Sequence, residues 1–161
     1  MKFDYLIQIK DYNLLAIIGY MIVCDNHIHS YELKVLDLFI KDKKLGEDAY
    51  NIINNILNDN DDKVTLNSAI LALEKESEEL QKEIIFLLMC IRNADDNKHP
   101  KENEIIEKCM NACGLSKLDL EYFEDDVRNI INNINEENKN YKNTNENKSK
   151  NILVNLICCA S

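Results

Sequence analysis

Helix breakers are scarce: the chain has three glycines, one proline and no tryptophan in 161 residues. With Leu, Ile, Lys, Glu and Asn in long uninterrupted runs, it reads as all-helical. Positive charge is also short. Nineteen Lys and Arg face 29 Asp and Glu, giving a net charge of −10. An acidic surface repels phosphate backbones, so nucleic acid is not expected as a partner; cations, basic protein surfaces or simple solubility remain. No apolar run reaches the roughly 20 residues of a membrane helix, so no transmembrane segment is expected. "LLAIIGYMIVC" (14–24) and "IIFLLMCI" (84–91) read instead as helices buried on nearly all sides. The opening "MKFDYLIQIKDYN" has neither the basic start nor the apolar core of a signal peptide, so a cytoplasmic location is expected. No Gly-rich phosphate loop, HExxH or nucleophile with an evident base is present, and no enzymatic role is expected.

Six cysteines are present. Cys24, Cys90 and Cys109 lie within apolar runs and read as small core residues. Cys109 and Cys113 stand i, i+4 on one helix face, yet no second pair at ligand spacing joins them to make a zinc site. The closing "CCAS" matches the C-a-a-X prenylation pattern with Cys158 as acceptor, which has meaning only in a eukaryote and at a true C-terminus.

A repeat at an offset of 70 residues organises the chain. Setting Leu14 over Ile84 aligns Asp25 with Asp95, His29 with His99, Glu32 with Glu102 and Leu45 with Leu115. The apolar pairs Val35-Leu36 and Phe39-Ile40 fall over Ile105-Ile106 and Cys109-Met110, the same face of a helix in both copies. Helices are expected over about 3–9, 12–24, 30–44, the stretch "EDAYNIINNILN", a connecting helix capped by Thr65, about 78–93, 100–113 and about 117–135, with Gly114 as a stop and Ser116 as a cap. The expected fold is an all-α, internally duplicated, pseudo-two-fold bundle of about seven helices. The domain covers 1–135, an Asn/Lys/Glu-rich linker or tail covers 136–150, and a short apolar segment covers 151–161, a candidate start of a further element.

The repeated turn, "CDNHIHSYE" at 24–32 and "ADDNKHPKE" at 94–102, admits two readings. In the structural one, His29 and His99 are N-caps, Pro100 takes the first helical position, and Glu32 and Glu102 at N3 reach back to the cap amides. Asp25 and Asp95 then bond turn amides just after a helix end. In the functional one, Asp25, Glu32, Asp95 and Glu102 bind a hard cation such as Ca²⁺ or Mg²⁺, supported by Asn26, His29, Asp96 and His99. The span is too short, and lacks the glycine, for an EF-hand. His27, His29 and His99 would bias the site towards zinc, but their spacing does not compel it.

The pattern of buried helix, A-D-G-x-I-x-P-x-E, amphipathic helix and G-L-S resembles the tellurite-resistance TerB-like domain, which is also found at the N-terminus of some membrane-anchored J-domain co-chaperones. Here it stands as "CDNHIHSYE" and "ADDNKHPKE…ACGLS", within residues 12 to about 135. The resemblance implies a TerB-like, all-helical duplicated fold and a non-catalytic role in stress response or signalling. It also implies metal binding at the acidic turn residues, which map onto Asp25, Glu32, Asp95 and Glu102. Asn26 and Asp96 replace the motif's glycine, Lys98 replaces an apolar residue, and His29 and His99 replace the usual Asp, so each loop loses an acidic oxygen. The alternative is a protein-interaction or sensor domain of a larger protein with no metal role, its protein partner and oligomeric state unspecified.

Overall fold

The computed structural model describes Ile9 and residues 11–58, 64–95 and 98–144, with side chains as far as 136. The helix expected over about 3–9, Asp96, Asn97 and the CCAS terminus therefore fall outside the described residues, apart from Ile9. A 3-10 turn, Tyr12–Leu15, is capped by Asp11, which accepts from the Asn13 N–H at 2.9 Å. It leads directly into α1 (Ala16–Val23). The remaining helices are α2 (Ser30–Lys43), α3 (Glu47–Leu57), α4 (Leu66–Glu74), α5 (Glu78–Arg92), α6 (Pro100–Cys113) and α7 (Lys117–Thr144). Every described element is helical, as the shortage of breakers predicts. Helix α7 continues past residue 135, because the Glu and Lys that follow are adequate helix formers and no Gly or Pro stops them.

Helices α1 and α5 form the centre. Six of the eight α1 residues and every residue from Ile84 to Ile91 in α5 are buried. α1 packs on α3, α4 and α5, and α5 in turn on α2, α6 and α7. Polar ties fix the neighbours. Gln81 is buried, and its amide nitrogen lies 3.0–3.3 Å from the carbonyl oxygens of Leu73, Glu74 and Glu76, pinning the end of α4 to α5. Lys43 at the end of α2 meets Glu83 of α5 at 2.5 Å, with both side chains almost enclosed. Burial pushes the Glu83 carboxyl up while Lys43 pulls it down. Thr65 caps α4 by accepting from the Ser68 N–H. Ser116 works in the opposite sense to the expected cap: its N–H and hydroxyl both donate to Asp119 Oδ2, at 2.8 and 2.7 Å.

The ends of α2 and α6 close alike. Lys44 (φ 51°) and Gly114 (φ 67°) both take the left-handed conformation, and the following Leu45 and Leu115 N–H groups reach back to Ile40 and Met110. Both helices run 14 residues, and their first turns carry the candidate site.

Gly19 sets how closely α1 approaches α3. A Cβ there would stand 2.7 Å from Ile56 Cβ and 2.9 Å from its Cγ2. Gly19→Ala is therefore expected to lower unfolding free energy by about 1–3 kcal/mol through overpacking, although alanine in an open helix would gain about 1 kcal/mol over glycine. Urea denaturation measures the sign, and a stabilised variant would contradict this packing.

Candidate functional site

The site is built from two helix starts. At α2, His29 is the N-cap and its N–H donates to Glu32 Oε2 at 2.8 Å; at α6, the His99 N–H donates to Glu102 Oε2 at 2.7 Å. Both glutamates are buried, at 3% and 4% exposure. This is the expected N3 arrangement, with Pro100 at the first helical position. Each cap bond takes one oxygen of its carboxylate. His99 Nδ1 also accepts from the Lys101 N–H at 3.3 Å.

The turn before α2 adds Asp25, whose Oδ1 accepts from the His27 N–H at 2.8 Å. That Asx turn sets Asn26 at φ 65°, a conformation Asn tolerates better than most residues and that the motif's glycine would adopt freely. Asn26 itself is exposed, so its side chain is not enclosed with the carboxylates.

The two turns meet at His29. Its Nε2 lies 3.1 Å from Asp95 Oδ2 and 3.8 Å from Asp25 Oδ2, with both aspartates 14% exposed and His29 32%. Residues 70 apart in sequence are thus joined through one imidazole. The His27 ring stands 5.8 Å from that of His29, centroid to centroid. Among the described residues, no three His, Cys, Asp or Glu side chains are arranged to hold a metal ion.

Electrostatics ties the four carboxylates together. Burial pushes Glu32 up to about 8, the His29 N–H bond opposes it, and the charges of Asp95, Asp25 and Glu102 raise it further. Glu102 is raised the same way, by burial first, with Asp95 and Asp25 adding to it and the His99 bond opposing. Cys24, at the end of α1, feels the same field: burial pushes its thiol up to about 12, aided by Glu102, Asp25 and Glu32. A buried carboxyl among like charges favours the neutral form.

The sequence supplied every acid in this cluster and both caps, but not the part His29 plays. The sequence reads His29 as the N-cap and as a supporting residue of the acidic turns; it is the N-cap, and its Nε2 also reaches Asp95 of the opposite turn. Only the aligned repeat hinted at this, by placing equivalent acids in both loops. Cys109 and Cys113 are free thiols pushed up by burial to about 12 and 11. No helix among the described residues is long and apolar enough to cross a membrane.

The model of the family described as tellurite resistance protein TerB matches residues 11–125. No curated protein and no solved structure matches the chain.

The raised carboxyls carry a pH dependence. Glu32 moves from 4.5 to about 8 on folding, so between those values the folded chain binds more protons than the unfolded one. Its stabilising contribution is complete below about 4.5 and is lost as pH rises through about 8; Glu102 acts in the same direction. Urea midpoints are expected to fall from weakly acidic to weakly alkaline pH, and Glu32→Gln, which keeps an acceptor for the His29 N–H, should flatten that fall. An unchanged slope in the variant would contradict the assignment.

Proposed function

The chain belongs to the TerB family of tellurite-resistance proteins, and on that premise we propose that it is a non-enzymatic stress-response or signalling module that binds a divalent cation where its two acidic turns meet. The observation that carries this reading is the convergence of Asp25 and Asp95 on one point above two buried glutamates, with Glu32 held near 8 by burial and by its neighbours' charge. Such a place is short of positive charge.

Asp25, Asp95, Glu32 and Glu102 all offer the carboxylate oxygen a hard cation takes; no three such side chains among the described residues stand arranged around one point, so binding requires them to draw together. When bound, the ion would supply the missing charge and hold the four groups ionised. The chain's own residues do the rest. The cap bonds from His29 and His99 fix the two glutamates, and the Asx turn fixes Asp25. His29 stands between the aspartates and competes with an ion for them, so ion affinity depends on how readily that ring gives way.

Titration calorimetry and thermal melting with CaCl₂, MgCl₂ and ZnCl₂ test the proposal. Binding heat is expected with at least one ion, together with a rise in melting temperature. At a free ion concentration 100-fold above Kd, linkage adds about 2.7 kcal/mol. Asp25→Asn with Asp95→Asn should remove both signals while leaving the fold intact, because it also removes like-charge repulsion. Absence of heat and of any melting shift with all three ions would sink the cation reading.

A further inference from the structure

We infer that the His29 side chain is an autoinhibitory clasp, which holds the two acidic turns closed and keeps ions from the aspartates until it swings out. What the clasp shuts out rests on the cation reading above, whereas the closure itself stands on geometry alone.

Starting a helix does not require the clasp. His29 and His99 fill equivalent positions, and both donate their backbone N–H to the glutamate three residues on, at 2.8 and 2.7 Å. Their rings then diverge. His99 Nδ1 accepts from the Lys101 N–H of its own helix. His29 Nε2 instead reaches across to within 3.1 Å of Asp95 Oδ2, and lies 3.8 Å from Asp25 Oδ2. The reach of that ring is therefore separable from the backbone bond that both copies share.

The helices do little to close the gap themselves. α2 packs on α5 and α7, and α6 on α4, α5 and α1. Each helix start is thus held to the core by other neighbours, and the imidazole spans the two turns. The ring is also the outermost member of the cluster. Its side chain is 32% exposed against 14% for either aspartate, while Glu32 and Glu102 lie deeper still. It therefore stands on the solvent side of the oxygens an ion would take, with room to rotate outward. Standing between Asp25 and Asp95, it also keeps them from drawing together. When a contact must break before binding, apparent affinity falls with the fraction of molecules that are open.

His29→Ser in the full chain tests the clasp, because serine is a good N-cap but too short to reach Asp95. His27→Ser is the control, since that ring is exposed in the same turn, 5.8 Å from the ring of His29. Both variants are followed by amide hydrogen exchange and by titration with CaCl₂, MgCl₂ and ZnCl₂. Exchange in the buried α5 monitors the fold and should stay slow in both. His29→Ser is expected to speed exchange at Asp95 and around His99 as well as in its own turn, and to bind an ion about tenfold more tightly than the native chain. His27→Ser should do neither. Exchange altered only around residue 29, with ion affinity unchanged, would overturn the proposal, because His29 would then be a cap alone. Weaker ion binding by His29→Ser would also overturn it, by making the ring a ligand. If no ion binds either chain, the cation reading fails, and faster exchange at Asp95 in His29→Ser still upholds the closure.

Discussion

Two buried carboxylates hold the two acidic turns of this bundle in place. Glu32 and Glu102 each sit at the third position of a helix and accept the N–H of the cap residue, Glu32 from His29 and Glu102 from His99. A carboxyl is expensive to bury, and these two are nearly sealed from solvent. The cap bonds and the helix N-terminal dipoles offset part of that cost. Burial is the main reason Glu32 favours its neutral form, and the charges of Asp95, Asp25 and Glu102 add to it, while His29 stands between Asp25 and Asp95.

The rest of the architecture brings those two starts together. α1 and α5 are buried along most of their length, so the turns leaving them emerge from the same core. The close approach allowed by Gly19, the Gln81 tie and the enclosed Lys43–Glu83 pair restrict how the outer helices sit on that core. None of these touches the acidic cluster, yet each limits the freedom of the helices that present it.

Much of this was legible in the sequence because the signals were local. Caps, stops and buried stretches depend on residues within a turn or two of one another, and Thr65, His99, Pro100 and Gly114 take the positions their chemistry suggests. The repeat carried the information that two loops are chemically alike. What could not be read was distance between residues 70 apart, and so whether the loops touch. The direction of the His29 ring and the tie made by Gln81 are both products of tertiary packing. Ser116 shows the same limit at short range, since a Ser followed three residues later by Asp bonds in either direction and only the geometry decides which.

The central claim is that the carboxylates of the two turns share one desolvated site. Carboxyl-carbon NMR titration of Glu32 reads this directly. A midpoint near 8 is predicted in the native chain, moving down when Asp95→Asn removes a charge contributed by the opposite turn. A midpoint near the ordinary 4.5, unmoved by Asp95→Asn, would show that the two turns do not act on each other and would contradict the account.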